Sequence, residues 1–197
     1  MKALTALAMT ALLFPALASA VDSLNYRYSE LSYTSGDLDA PGGDIDADAI
    51  SLFGSYAIND KLAVTAGISS GEIETGELAL IGDDTDTKGI SFGLVPHYPL
   101  SDKTDVLMPV AIQWSEAEVG SVKEDDIGFS IGAGVRSLVT ELIELEAGVD
   151  YVDVGDESDT VVSGSVRLHA TDTLSIAVGG SHADDVDSYF VRGRVAF

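Results

Sequence analysis

The chain has 197 residues, 33 acidic against 10 basic side chains, a formal net charge of −23 and no cysteine. That charge argues against a nucleic-acid partner, which needs clustered Lys and Arg, and the missing cysteine excludes a disulfide scaffold. No stretch after the leader holds 18 consecutive apolar residues, so a transmembrane helix is excluded as well.

The first twenty residues, MKALTALAMTALLFPALASA, carry a lone Lys2, an apolar stretch from Leu4 to Leu17, and Ala18-Ser19-Ala20 as an A-x-A cleavage pattern. They read as a cleaved secretory signal peptide rather than an anchor, because the stretch is short for a span and no stop-transfer pattern follows. Residues 21–197 then form one domain. An exported, acidic, 46% hydrophobic chain without a spanning helix is either a soluble β protein or an outer-membrane barrel.

Period-two alternation dominates the mature chain, the mark of half-buried strands. Ten strands are predicted, at about 24–34, 45–58, 61–73, 86–99, 103–118, 125–138, 141–154, 159–171, 173–183 and 187–197. In ISFGLVPHY, Ile90, Phe92, Leu94 and Tyr98 oppose Ser91, Gly93 and His97. In IGFSIGAGVR, Ile127, Phe129, Ile131 and Val135 oppose Gly128, Ser130, Gly132, Gly134 and Arg136. IELEAGVDY and VSGSVRLHA repeat the plan, with Glu144, Glu146 and Asp150 in the first and Arg167 and His169 in the second on the minor face. A continuous large apolar face opposite Gly, Ser and charge suits lipid outside and a tight lumen inside.

The connections alternate in kind. Short turns fall at 58–60, 100–103, 139–141 and 170–173, with Asn, Asp, Ser or Thr at the corner. Long connections are predicted at about 35–48, 72–87, 116–126, 150–159 and 182–187, and they hold 24 of the 33 acids. Short periplasmic turns and long outer loops are the pattern of outer-membrane barrels. The aromatics are sorted by strand end, as interfacial rings are in a bilayer. Tyr26, Tyr28, Tyr56, Tyr98 and Phe197 are expected outward at the periplasmic rim, and Tyr33, Trp114, Phe129, Tyr151 and Tyr189 outward at the other. Phe53 and Phe190 are expected to point inward.

The expected fold is therefore an all-β, closed, antiparallel up-and-down transmembrane β-barrel of ten strands, with eight as the alternative. With its signal peptide, its "G-x-[φ]-x-[φ]-[NST]-[DE]" hairpins and its terminal VRGRVAF, the chain resembles the small porin-like outer-membrane β-barrel family of Gram-negative bacteria. The resemblance spans the mature chain and implies an outer-membrane location and contact with lipid and lipopolysaccharide. It further implies a final strand read by the barrel-assembly machinery through Tyr189, Val191, Gly193, Val195 and Phe197. It does not specify an activity.

Three constellations bear on function. The first is a lumen charge network of Arg27, Arg136, Glu144, Glu146, Asp150, Arg167, Arg192 and Arg194. It is read either as a selectivity ring or as a salt-bridged plug. The narrow bore of a ten-strand barrel favours the plug. The second is Asp44, Asp46 and Asp48, on one strand face, a weak candidate for surface Ca²⁺ or Mg²⁺ that lacks the full calcium-loop pattern. No other cofactor is expected. The third is His182 beside Ser181, Asp184 and Asp185, where a rim enzyme acting on lipid or peptide is the remote alternative. Adjacent Ser181 and His182 should face opposite sides, so no catalytic residues are assigned. The expectation is a monomeric structural or interaction barrel with a mostly closed lumen and acidic outer loops, the alternative being a narrow porin.

Overall fold

The computed structural model describes residues 24–40, 43–74, 84–184 and 186–197, so the predicted leader and the centre of the 72–87 connection lie outside the described residues. Eleven strand segments run in order: β1 (Tyr28–Ala40), β2 (Gly43–Asn59), β3 (Leu62–Ile73), β4 (Thr85–Ser101), β5 (Thr104–Leu107), β6 (Val110–Val119), β7 (Val122–Leu138), β8 (Ile143–Val154), β9 (Glu157–His169), β10 (Leu174–Ala183) and β11 (Val186–Ala196). They form one closed antiparallel sheet in which the segments pair with their chain neighbours, except that β5 and β6 each pair with β4 and β7 and not with one another. Strand β11 returns to β1 in a ladder from Tyr28–Ala196 to Leu38–Val186, which removes both sheet edges.

The barrel has ten staves, because β5 and β6 are two halves of the predicted fifth strand. Both lie between β4 and β7. Pro109 interrupts that stave, since it has no N–H to give to the ladder. The gap is bridged by the Met108 amide, which donates to the Pro96 carbonyl at 2.9 Å, and by the Gly132 amide, which donates to the Pro109 carbonyl at 2.9 Å.

The predicted long loops are mostly ladder. β1 and β2 stay paired out to Ala40–Gly43, β6 and β7 to Val119–Val122, and β8 and β9 to Val154–Glu157. Gly120 and Gly155 each open a two-residue hairpin loop at a φ of 61°, the conformation a type II′ turn requires at its first position. The acid-rich composition suggested loop, but the alternation runs on to the hairpin tips.

The strands change polarity along their length. On the turn side, outward residues are apolar (Leu52, Ile68, Phe92, Ile112, Leu145 and Leu168 are all exposed), while Ser, Glu and Arg point inward. Toward the hairpin tips the faces exchange polarity. In β2 the outward row passes from Leu52 and Ile50 to Asp48 and Asp46, and Ala47 turns inward among Ile73 and Val186. In β8 the inward row passes from Glu144 and Glu146 to Val152 and Val154. The first half is built for lipid outside, the second for water outside. The exchange falls at the level of Tyr33, Trp114, Tyr151 and Tyr189.

Candidate functional site

The turn-side half of the bore is packed with charge. Glu30 on β1 is the centre. Its carboxylate accepts a hydrogen bond from Arg167 Nη2 at 2.7 Å and pairs with Arg194 Nη2 at 2.6 Å and Arg192 Nε at 3.8 Å. Beside it, Arg136 Nε donates to Glu144 Oε1 at 2.6 Å and lies 3.7 Å from Glu146. Glu146 lies 3.8 Å from Arg167 Nε and accepts a bond from the Ser165 hydroxyl at 3.1 Å. His169 Nε2 is 3.0 Å from Glu144 Oε2. Four guanidinium groups and three carboxylates thus form one connected layer, with every member buried.

The layer follows from strand pairing. Cross-strand neighbours place Glu30 opposite Arg194, Glu144 opposite Arg167, and Arg136 opposite Glu146. Opposite charges on one face of neighbouring strands attract, and Arg forks suit carboxylates in a water-poor bore. Aromatic rings supply the remaining walls. Arg192 lies over the Phe190 ring at 3.7 Å, Arg194 over Tyr28 at 4.0 Å, and Arg136 over Tyr26 at 5.2 Å. Above Glu30 and Arg192 is a cavity of about 20 Å³, room for a single water.

Of the residues expected in the lumen network, Arg136, Glu144, Glu146, Arg167, Arg192 and Arg194 come together in this layer. Arg27 does not. It is exposed just before β1, 5.0 Å over the outward Tyr56 ring. Asp150 faces the bore higher up, opposite Gly132, and among the described residues it makes no ion pair. Tyr26 and Tyr28, expected outward, are buried inside. The cause is one register step in β1, since Leu31 and Tyr33 face lipid and strict alternation then forces Tyr26, Tyr28 and Glu30 inward and Arg27 out. Glu30 was missed for the same reason. Phe53 and Phe190 point inward.

The hairpin-tip half of the bore is packed differently. Val152, Val154, Val161 and Ala183 form one buried apolar cluster, and Ala47, Ile73 and Val186 another. Outside this cap the acids stand in register. Asp187, Asp37 and Asp46 are successive cross-strand neighbours. So are Asp48, Glu72, Asp86 and Glu118. Below them, Glu116 bridges Lys123 at 2.6 Å and Lys88 at 3.6 Å, and the Lys123 hydrogen bond holds its carboxyl below the usual carboxylate range.

Asp46 and Asp48 lie on the outward face as expected, Asp48 accepting a bond from the Tyr33 hydroxyl at 2.7 Å, and the Asp44 side chain lies outside what is described. Among the described residues no three metal-ligating side chains converge. Ser181 bonds Ser188 inside the bore at 2.6 Å, whereas His182 pairs with Asp187 outside at 2.8 Å, so the two form no nucleophile–base pair. Asp184 sits at a hairpin tip with φ 30°, and Asp185 is outside the described residues. Tyr189, Val191, Gly193, Val195 and Phe197 all face outward along the last stave.

A family model described as "Outer membrane protein beta-barrel domain" matches residues 4–191. The chain belongs to this family. Among solved structures, an outer membrane channel from Pseudomonas putida is similar at a TM-score of 0.55 and 11% identity, over 93% of this chain and 100% of that one. The beta domain of the Bordetella autotransporter Brka is similar at 0.54 and 9%, over 88% and 100%. The translocator domain of autotransporter NalP from Neisseria meningitidis is similar at 0.52 and 10%, over 100% and 98%. Identities this low carry the fold alone. No curated protein matches the chain.

Proposed function

We propose that this outer-membrane barrel is non-conducting and acts as a structural or interaction protein, presenting acidic outer hairpins on a bore sealed at two levels. The observation that carries the reading is Glu30, buried among Arg167, Arg192 and Arg194 and continued by Glu146, Arg136 and Glu144 across the bore. A conducting pore lines its wall with charge and leaves the axis to water. Here the charged groups meet one another across the axis. The same reading gives the barrel no catalytic centre, makes it a monomer in contact with lipid and lipopolysaccharide, and assigns the outward row of β11 as its assembly signal.

Purified barrel in planar bilayers is expected to give no steady channels. Truncating the layer with Glu30→Ala, Arg167→Ala and Arg192→Ala should introduce conductance only when the outer cap is also weakened by Val154→Ala and Val161→Ala. Steady, reproducible conductance from the unaltered protein would overturn the reading in favour of a narrow porin.

A further inference from the structure

Of the lysines and arginines, Lys2 lies outside the described residues. Most of the others are ion-paired with carboxylates: Lys88 and Lys123 with Glu116, Arg136 with Glu144, and Arg167, Arg192 and Arg194 with Glu30. Arg27, Lys61 and Lys103 remain, and among the described residues none of them makes an ion pair. In a chain with 33 acids, cations left without an acid need another partner. Their position points to one. All three are exposed at the turn end of β1 to β5, the periplasmic end in barrels of this architecture.

Two of them lie over outward tyrosine rings. Arg27 Cζ is 5.0 Å from the centre of the Tyr56 ring, and Lys61 Nζ is 5.8 Å from that of Tyr98. Both rings are half exposed, beside the exposed Ile58 and Leu100. Tyrosines on the outer wall mark the boundary between hydrocarbon and headgroups, and a cation on the ring face is held at that boundary. Tyr56 and Tyr98 are two strands apart, so the two cations stand about 10 Å from each other.

The neighbouring acids are turned elsewhere. Asp60, next to Lys61, and Asp102, next to Lys103, line the mouth of the bore, and neither lysine does. Arg27 stands on the lip of that mouth with its guanidinium over the outward ring. The charge also differs around the barrel. The turns between β7 and β8 and between β9 and β10 carry Glu141 and Asp172 and no lysine or arginine. One sector of the wall therefore offers cations at headgroup depth, above an apolar face. A phosphodiester accepts from both a guanidinium fork and an ammonium group, and only an anion carried on acyl chains also covers the apolar face. We propose that the β1–β5 wall binds anionic phospholipid of the periplasmic leaflet, with phosphate on Arg27 and Lys61, Lys103 adding charge, and acyl chains along the outward rows below.

The test uses the full barrel, purified from outer membranes and set in phosphatidylcholine nanodiscs, with its lysines ¹³C-methylated, which keeps their charge. As phosphatidylglycerol replaces phosphatidylcholine, the Lys61 and Lys103 signals should move saturably, while those of Lys88 and Lys123, held by Glu116 at the other end, stay still. Given both lipids in equal amounts, the barrel released into the mass spectrometer should retain phosphatidylglycerol over phosphatidylcholine. Arg27→Gln, Lys61→Gln, Lys103→Gln should cut that preference by about tenfold or more, since each cation near an anionic surface contributes about fivefold. Lys61→Arg, Lys103→Arg should preserve it. All these positions are exposed, so the variants keep the fold. Equal movement of all four lysine signals would show only a general surface charge and would overturn the proposal. So would inorganic phosphate moving Lys61 and Lys103 as far as the lipid does, or an undiminished preference in the glutamine variant.

Discussion

In the proposed reading the bore is closed twice, by opposite means. The inner closure is an ionic layer with Glu30 at its centre, and the outer one is an aliphatic cluster around Val154 and Val161. The difference follows from what surrounds the wall. Around the ionic layer the outside is lipid, so the wall shows apolar side chains outward and polar ones inward. Beyond the interfacial aromatics the outside is water, and the hairpins bury aliphatics like any soluble sheet. The two closures should fail differently. A buried charge network depends on every member, because removing one partner leaves the others charged and unpaired. An aliphatic cluster loses stability in proportion to what is removed.

The largest effect should come from Glu30→Ala. It takes the shared carboxylate from three buried arginines and should lower unfolding stability by about 3–5 kcal/mol, measured by urea titration in micelles. Replacing charges together, with Glu30→Met, Arg192→Met and Arg194→Met, should cost less than the single change, since both arginines go with the carboxylate they share and Arg167 keeps Glu146. A triple variant weaker than Glu30→Ala would show that packing, not charge pairing, holds the layer.

Val154→Ala in the outer cap should cost about 1–2 kcal/mol. Its effect should be local, with amide exchange accelerated at the β8–β9 tip around Val152 and Val161 and unchanged at Arg136 and Arg167. Faster exchange through both regions would mean the two closures are one cooperative unit.

Much of this was legible at period two. The alternation in β7, β8, β9 and β11 placed Arg136, Glu144, Glu146, Arg167, Arg192 and Arg194 in the bore. It failed in β1, where outward Ser29 and Ser35 are small and polar and inward Tyr26 and Tyr28 are large, so size and hydrophobicity point the wrong way. Leu31 and Tyr33 carried the correct signal, because they cannot share a face with Tyr28. The exchange of faces was also readable, in the passage from Asp44, Asp46 and Asp48 to Ile50 and Leu52 on one row of β2. Which arginine meets which acid was not, since that depends on pairing between β1 and β11, 164 residues apart at Glu30 and Arg194.

The smallest and sharpest test lies on the outer row of acids. Glu72 stands between Asp48 and Asp86 on neighbouring strands, all facing outward. Like charges directly opposite destabilise a ladder, so Glu72→Gln should gain about 0.2–1 kcal/mol at low salt. The gain should shrink as ionic strength rises, because these groups are exposed and screened. Amide exchange at the outer ends of β2, β3 and β4 reads both effects. A loss of protection that appears with Ca²⁺ and disappears with chelator would reverse the sign, and would make this row a cation bridge rather than a strip of mutual repulsion.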